Sequence, residues 1–241
     1  MKNIINNHFL NVVTAATILA CRTHGQGGFQ NLDFESATPP FVVIDPTYNV
    51  VAISNSIPGW TAYIGVNPNI AVLHNNYFLG TPAIAILGPG WTNQPAIIQG
   101  DYSVLLQGGA YPTTGRASAA LAQTGIVPAD ARSVQFKAGG GAPAFAIGLF
   151  VGGQSVPLFT LDISANYVLY GGDISQFAGQ VEELRIAALA TDIYPFPNVL
   201  LDSIEFSNLA VPEPGTIGLF SLGAVAVCWR FLRKGRTAIA M

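Results

Sequence analysis

Few side chains in the central part of the chain could take part in acid–base or covalent catalysis. Between residues 28 and 210 there is one histidine, His74, and there is no cysteine. A Ser-His-Asp triad would need His74 as its base, but this residue lies in a Leu-His-Asn-Asn stretch without the sharp turn that presents a nucleophile. A zinc site needs several histidine or cysteine ligands. The sequence therefore predicts neither a hydrolytic triad nor a zinc enzyme.

Carboxylates are the remaining groups with which this chain could catalyse a reaction. Glycoside hydrolysis needs two carboxyl groups, roughly 5 to 10 Å apart. The candidates are Asp162, Asp173, Glu182, Glu183 and Asp192. Their positions along the chain do not indicate which two of them lie close together in the folded protein. Glycoside hydrolysis is therefore an alternative, and the leading prediction is that the protein is not an enzyme.

Aromatic side chains near predicted turns indicate another use of the surface, namely sugar binding. An aromatic face stacks on the apolar side of a pyranose ring, while nearby amides and carboxylates bond the hydroxyl groups. The main candidates are Trp60, Tyr77 and Trp91, with Tyr63, Phe78 and Tyr111 as further candidates. Packing in the core is the alternative for each of them, above all for Trp60, which follows Gly59 at a turn.

The charge distribution excludes nucleic acid as a partner. Four of the ten Lys and Arg residues lie between 26 and 229, against all thirteen Asp and Glu residues, which leaves a net charge of −9. A strongly acidic body repels phosphate backbones. Cys21 and Cys228 lie near the two ends of the chain, so the part between them has no disulfide and must be stabilised by its hydrophobic core.

The region between 28 and 210 has the periodicity of a domain built from short strands. Residues 31–36 alternate polar and apolar and are the predicted first strand, with Leu32 and Phe34 on one face. Further strands are predicted at 41–44, 49–53, 60–64, 70–73, 83–87, 102–107, 116–123, 133–138, 145–151, 156–161, 181–188 and 198–207, with a hairpin about Gly152-Gly153. We therefore predict an all-β fold, an antiparallel β-sandwich of jelly-roll type.

The first 27 residues have the pattern of an export signal. Lys2 supplies a positive start, the run from Phe9 to Ala20 is apolar, and a polar stretch follows. Two processing routes are open: cleavage near Gly25-Gln26, or acylation of Cys21, because Ile-Leu-Ala-Cys at 18–21 is similar to a lipobox. We predict a signal peptide over 1–27 and export of the remaining chain.

The C-terminal end has the length and charge of one membrane span. The stretch from 215 to 232 is apolar, and as a helix its 18 or so residues would extend about 27 Å, close to the hydrocarbon thickness of a bilayer. A basic cluster lies at its end: Arg230, Arg233, Lys234 and Arg236. Cationic flanks stay in the cytoplasm, so we predict a transmembrane helix at 215–232, a basic tail at 230–236 and an exported domain at 28–210. A buried C-terminal helix is the alternative, but it would carry an amphipathic stripe.

A short motif stands directly before this span: Val211, Pro212, Glu213, Pro214 and Gly215. The order of Pro-Glu-Pro, apolar run and Arg-rich end resembles the PEP-CTERM sorting signal of bacteria with an exopolysaccharide layer, over 211–236. The resemblance implies a partner, the membrane peptidase called exosortase, which cuts near the motif and releases or re-attaches the exported body. Two prolines disfavour helix in the residues before them, so the motif should be extended and accessible. The hydrophobic tail would then be lost.

A second resemblance concerns the exported domain. The segments Asn-Leu-Asp-Phe-Glu at 31–35, Gly59-Trp60, and Leu-Leu-Asp-Ser-Ile-Glu-Phe at 200–206 look like parts of jelly-roll modules related to carbohydrate-binding and galactose-binding-like domains. In several such families an early acidic residue and an aspartate of the last strand hold a structural calcium, which implies Glu35 and Asp202 here. Many of these modules have two acidic residues where this chain has Asp202-Ser203. Solvated surface carboxylates are the alternative.

Together these features predict a surface-directed, non-enzymatic protein. Its expected role is structural or adhesive, in the envelope or the exopolysaccharide matrix, after processing by an exosortase. A carbohydrate-binding module that recognises a matrix polysaccharide is the alternative from the class of binding proteins. A glycoside hydrolase is the alternative from the class of enzymes.

Overall fold

The computed structural model describes residues 28–112 and 115–211. The predicted signal peptide, residues 212–215 of the motif, the predicted membrane helix and the basic tail lie outside these ranges. Within the described ranges, no helix is both long and apolar enough to cross a bilayer.

The described residues form 17 strands and very little helix. In chain order the strands are β1 (Val43–Asp45), β2 (Val50–Ala52), β3 (Thr61–Ile64), β4 (Asn67–Asn69), β5 (Ala71–His74), β6 (Ala83–Leu87), β7 (Ser103–Gln107), β8 (Gly109–Tyr111), β9 (Gly115–Ala117), β10 (Ala119–Ile126), β11 (Ser133–Gly139), β12 (Ile147–Val151), β13 (Gln154–Ser155), β14 (Phe159–Ile163), β15 (Val168–Asp173), β16 (Val181–Ala188) and β17 (Asn198–Ser207). The helical elements are α1 (Ile53–Ser56) and two 3-10 turns, Ala144–Ala146 and Ser175–Phe177.

The strands form two large sheets and one small hairpin. The nine-stranded sheet has the order β1-β2-β5-β6-β7-β17-β11-β15-β14, and the six-stranded sheet has the order β13-β12-β16-β10-β3-β4. Strands β8 and β9 pair with each other. Neighbouring strands are antiparallel, except that β5 and β6 run parallel. The prediction of an all-β sandwich is confirmed, and the repeated passage of the chain from one sheet to the other is of the kind that jelly rolls have.

The main core lies between the two large sheets. On β11, Val134 and Phe136 point into it, and on β16, Leu184 and Ile186 do the same; all four are fully buried. These are the inward positions that the alternating sequence predicts. The polar residues between them, such as Gln135, lie on the opposite side of their strands. The alternation therefore fixes which face of each strand meets the other sheet.

A second, smaller core covers the outer face of the nine-stranded sheet. Leu73, Leu105 and Leu200 belong to it, and Trp91 and Ile98 from the segment after β6 pack over them. Because β6 and β7 are covered on both faces, all of their residues are buried. This explains why β6 is an uninterrupted apolar run and not an alternating one.

The predicted first strand at 31–36 is wrong, because this segment forms turns. The Asn31 side chain accepts a hydrogen bond from the Ser36 N–H at 2.9 Å and donates one to the Pro58 carbonyl at 2.9 Å. Such side-chain bonds compete with a strand ladder. Phe34 has a positive φ of 62° yet is fully buried, so its inward direction was predicted correctly although its backbone was not.

The predicted hairpin of 145–151 with 156–161 is also wrong in its second half. The turn at Gly152-Gly153 does form, but β12 pairs there with the two-residue strand β13. The chain then crosses to the other sheet, where β14 pairs with β15. Both glycines of the turn have positive φ, which suits a tight reversal, so the local signal was correct and the long-range partner was not.

The last strand departs from simple alternation at Ser203. This residue has a φ of 48°, and the pairing of β17 with β11 shifts by one residue there. As a result, Leu201 and Ile204 both point into the main core, although they are three positions apart. The sequence pattern had placed them on opposite faces. A β-bulge accounts for the change, because its extra residue reverses the later alternation.

The main core should tolerate truncation far less than the surface. Phe136→Ala removes a fully buried ring and should cost about 3–5 kcal/mol of unfolding free energy. Phe145→Ala is the matched control, because this phenylalanine is 61% exposed and should change stability by less than about 1 kcal/mol. Urea unfolding measures both values. Equal losses for the two variants would contradict this assignment of the core.

Candidate functional site

A groove of about 620 Å³ opens at the end of the sandwich where β17 begins. Five aromatic side chains line it, together with amide and hydroxyl groups from several loops. The aromatic residues are Tyr77, Phe78, Tyr167, Phe196 and the nearly buried Tyr170, and the polar ones include Gln94, Gln107, Ser164, Asn166 and Asn198. None of the described residues in the lining carries a charge. The groove therefore offers ring faces and neutral hydrogen-bonding groups.

One buried amide fixes the wall of the groove. The Gln107 side chain donates hydrogen bonds to the Phe78 carbonyl at 3.0 Å and to the Asn198 Oδ1 at 2.9 Å, and it accepts one from the Phe78 N–H at 3.2 Å. These bonds join the segment before β6 to the start of β17. Because Gln107 is nearly fully buried, its bonds are shielded from water and hold the wall in place.

A glycine turn forms another wall. It comprises Gly139, Gly140 and Gly141, which follow β11. Gly140 has a φ of 84°, and a Cβ there would lie 2.7 Å from the Asn198 carbonyl oxygen. Only glycine allows so close an approach between this turn and β17. The turn therefore brings Asn198 and the loop after β14 to the same opening.

The three predicted sugar-binding aromatics lie in different surroundings. Tyr77 lines the groove and is 38% exposed. Trp91 stands behind it, with ring centroids 6.0 Å apart, and donates its indole N–H to the Pro95 carbonyl at 2.8 Å. Trp60 is 5% exposed in the main core, where its indole N–H bonds to the Asn31 carbonyl at 2.9 Å. Trp60 is therefore withdrawn as a binding residue, because a buried ring offers no face to a sugar.

The sequence analysis did not single out Tyr167, which is partly buried, or Phe196, which is exposed, although both line the groove. Tyr167 lies between β14 and β15, and its ring is 5.1 Å from the Lys137 ammonium group. Phe196 is 51% exposed and precedes β17. Each stands next to an asparagine or proline in a short connection, which is a turn signal. That signal predicts the two loops, but it does not predict that the fold brings them to one groove.

The carboxylates considered for glycoside hydrolysis are spread over the molecule. Asp162 lies on edge strand β14, and Asp173 caps the following 3-10 turn through the Ser175 N–H at 2.8 Å. Glu182 and Glu183 are consecutive on β16, so their side chains point to opposite faces. Asp192 pairs with Arg116. None of these carboxylates lines the groove.

Glu35 and Asp202, the predicted calcium ligands, are brought to one loop, residues 99–103. The Glu35 carboxylate accepts hydrogen bonds from the backbone N–H groups of Asp101 and Tyr102, each at 3.0 Å. Glycine suits position 100, because its φ is 64° and a Cβ there would displace the Glu35 carboxylate, whose Oε1 would lie 2.2 Å away. The fold thus brings the two carboxylates that the resemblance implied as calcium ligands to the same loop.

Asp202 binds the same loop from the buried side. Its Oδ2 accepts bonds from the Gln99 N–H at 3.1 Å and the Ser103 hydroxyl at 2.7 Å. Its Oδ1 accepts bonds from the N–H and the hydroxyl of Ser203, at 2.6 and 3.2 Å. Each oxygen thus has two donors, and a carboxylate offers about four acceptor positions. The bulge at Ser203 supplies two of these donors.

The calcium site stays a prediction, and the donors around these carboxylates argue against it. A cation needs oxygen lone pairs, whereas N–H and O–H groups point at both oxygens of Asp202. In the part of the chain that the structure describes, no three acidic, histidine or cysteine side chains converge in a way that could hold a metal ion.

Calcium should therefore leave the stability of the protein unchanged. The measurement is the melting temperature of the purified protein in excess calcium and in excess chelator. Equal melting temperatures are the expected result, because a ligand that binds the folded state selectively would raise the value. A clear rise with calcium that Asp202→Asn abolishes would restore the predicted site.

Asp202 should also make stability depend on pH. Burial raises its pKa above the ordinary 3.8, although the hydrogen bonds to Ser103, Gln99 and Ser203 oppose this shift. The folded state then holds the proton more tightly than the unfolded chain. The stabilisation is therefore fully present below about pH 4 and is lost as the pH rises through the folded-state pKa.

This pH dependence can be isolated with Asp202→Asn, which cannot ionise. We expect the unfolding free energy of the natural protein minus that of the variant to decrease as the pH rises from 3 towards neutrality. Urea unfolding across this range gives both values. A difference that is independent of pH would contradict the assignment.

Comparison with known proteins identifies the C-terminal end. Residues 210–234 match the model of the PEP-CTERM protein-sorting motif. The chain thus carries this sorting motif, and the resemblance noted for the sequence is confirmed. The motif makes the protein an exported one whose processing partner is an exosortase.

Comparison of the rest of the chain with known proteins yields only a distant structural similarity. The fold is similar to the solved structure of the enzymatically active domain of tailspike protein 4 of bacteriophage CBA120, with 15% identity and a TM-score of 0.37. The alignment covers 68% of this chain and 22% of the tailspike chain, so this protein spans about a fifth of its length. Such a distant similarity carries no argument about activity. No curated protein matches the chain.

Proposed function

We propose that the exported domain is a non-enzymatic adhesive module that binds polysaccharide in the groove. The observation that supports this is the composition of the lining, in which five aromatic rings accompany neutral amides and hydroxyl groups. Rings stack on the apolar faces of pyranoses, and amides bond the equatorial hydroxyls. The volume of about 620 Å³ falls in the range of ordinary ligand pockets, so several sugar units can enter.

The arrangement of acidic groups favours binding over hydrolysis. A glycosidase needs a carboxylic acid and a carboxylate on the two sides of the scissile bond. The described lining contains neither, and the five carboxylates considered above lie elsewhere. A sugar chain in the groove would therefore meet positioning groups but no proton donor of suitable acidity. We propose on this basis that the protein holds its ligand unchanged.

The charge of the domain favours a neutral polysaccharide. The stretch from 26 to 229 has a net charge of −9, and no charged side chain belongs to the described lining; the Lys137 ammonium beside it is engaged by the Tyr167 ring and the Gln99 amide oxygen. An acidic polysaccharide would be repelled over distances up to about one Debye length, roughly 8–10 Å at physiological salt. Neutral glycans are free of this penalty. The proposed ligand is therefore a neutral matrix polysaccharide.

A purely structural role in the envelope is the second candidate. Strand β1 forms one edge of the nine-stranded sheet, and next to it Val42, Val43 and Ile44 are all half-exposed or more. Such an apolar edge, with Asp45 as the one charged residue of β1, is able to pair with another strand. Self-association through this edge would support a scaffold without any ligand in the groove.

Loss of binding on removal of the groove aromatics tests the proposed function. Tyr167→Ala and Phe196→Ala should each weaken binding of neutral matrix polysaccharide about tenfold, because one stacking ring contributes about 1 kcal/mol or more. Phe145→Ala is the matched control, since it removes an exposed ring that does not line the groove. Affinity electrophoresis or calorimetry with the purified protein gives the constants.

Acidic and neutral polysaccharides should be compared in the same assay. Unchanged binding in both groove variants would contradict the proposed site. Absence of binding to any matrix polysaccharide, with concentration-dependent self-association, would favour the scaffold role. Release of shorter glycans on incubation would show hydrolysis and contradict the non-enzymatic assignment.

A further inference from the structure

The chain between the last strand and the sorting motif is held against the folded domain. We call residues 208–211 the exit segment. Val211, the first residue of the Val-Pro-Glu-Pro-Gly motif, is 6% exposed. Its Cγ2 lies over Gly171 of β15, 3.2 Å from the position that a Cβ on this glycine would take. The Cδ1 of Leu161 lies over the same glycine at 2.7 Å. The absence of a side chain at Gly171 thus makes the space in which Val211 is buried.

Hydrogen bonds hold the exit segment at a second point. The Ser133 hydroxyl donates to the Leu209 carbonyl at 2.7 Å, and the Leu209 N–H donates to the Ser207 hydroxyl at 3.1 Å. The Arg132 N–H bonds to the Ser207 carbonyl at 2.8 Å, so this corner of β17 is also fixed. The chain is therefore attached to the sandwich until directly before Pro212.

This attachment conflicts with what a peptidase needs. Peptidases bind their substrates as extended strands over several residues, with backbone groups free to pair with the enzyme. The Leu209 carbonyl and the Val211 side chain are already engaged by the domain. The predicted membrane span starts at 215, and the four steps from Val211 cover at most about 14 Å. An enzyme in the membrane would thus meet the motif close beneath the domain.

We infer that the exit segment restrains exosortase processing, so that the motif becomes a full substrate after residues 208–211 detach from β15 and Ser133. The inference rests on sorting through the motif and is independent of carbohydrate binding. Cleavage of a folded protein through a transient open state follows the population of that state. Weakening of the attachment should therefore speed up processing, while the core of the domain is untouched. Gly171, Ser133 and Leu161 act as positioning residues for the substrate.

The test is the rate of C-terminal processing of the full chain in a host with its exosortase. Ser133→Ala removes the hydrogen bond to the Leu209 carbonyl, together with a long one from the Gln135 amide at 3.4 Å, and should raise the rate about fivefold. Gly171→Ala adds a Cβ 2.7 Å from the Leu161 Cδ1 and 3.2 Å from the Val211 Cγ2, so both side chains must shift, and it should raise the rate about fivefold through partial loss of the burial of Val211. Pulse labelling followed by mass spectrometry of the C-terminus gives the rate. Neither substitution lies in the motif, so recognition by the enzyme is unaltered.

Gly172→Ala is the matched control. It lies next to Gly171 on β15 but faces the main core, where a Cβ would come within 2.6 Å of Val156 and 2.8 Å of Leu149. It destabilises the domain without touching the exit segment, and Ile186→Val is a milder control of the same kind. The inference requires faster processing in Ser133→Ala and Gly171→Ala and rates near the natural one in the controls, compared at equal folded fractions.

Three results would overturn the inference, and they differ in meaning. Natural rates in Ser133→Ala and Gly171→Ala would mean that the exit segment does not limit cleavage. Equal acceleration in the core controls would mean that global unfolding exposes the motif. Complete retention of the tail in every variant would mean that the C-terminal end is not cut off, so the processing step on which the inference rests does not take place. Polysaccharide binding is measured separately and is unaffected by any of these results.

Discussion

Strand β17 is buried on both faces, and the rest of the structure depends on this double burial. On one face Val199, Leu201 and Ile204 fill the core between the sheets. On the other face Leu200 packs under the segment after β6, and Asp202 bonds to the loop at 99–103. The strand lies between β7 and β11 in the sheet. A strand in this position cannot shift in register without two costs: apolar groups become exposed on one face, and the Asp202 carboxylate loses its hydrogen-bond partners on the other.

The bulge at Ser203 allows both faces of β17 to be buried. It turns Ile204 into the main core, and the N–H and hydroxyl of Ser203 bond to the Asp202 carboxylate. Because β17 is fixed in this way, its two ends are fixed as well. Asn198 is held at the groove by Gln107, and Ser207 is held at the opposite corner by the Arg132 N–H. One strand thus fixes the groove at its first residue and, at its last residue, the corner from which the chain turns back over β15.

Local sequence patterns predicted the features that depend on neighbouring residues. The alternation around Val134 and Phe136 predicted that both side chains point into the core. The Pro-Glu-Pro motif and its apolar run are contiguous in the sequence, so they could be recognised without knowledge of the fold. The prediction failed where distant groups compete with a local pattern. Asn31 bonds to Ser36 and Pro58 and turns a strand-like stretch into turns.

The groove could not be predicted, because it is assembled from separate segments. Tyr77, Gln107, Gly140, Tyr167 and Asn198 come from five parts of the chain. Each has a local reason to lie in a turn or at the end of a strand, but the strand order that brings them together is a long-range property. The same holds for Trp60. Its place at a turn follows from the neighbouring residues, but its burial depends on packing against the distant Phe34, whose ring centroid is 5.9 Å away.

The central claim is that the groove at the start of β17 receives a neutral glycan. Titration of the isotope-labelled processed protein with neutral oligosaccharides, followed by amide chemical shifts, tests this claim most directly. The account predicts that the shifts concentrate at Gly140, Asn166, Tyr167 and Asn198, while amides near Ser207 stay unchanged. Shifts confined to the Ser207 end, or no shifts with any neutral glycan of the native matrix, would contradict it.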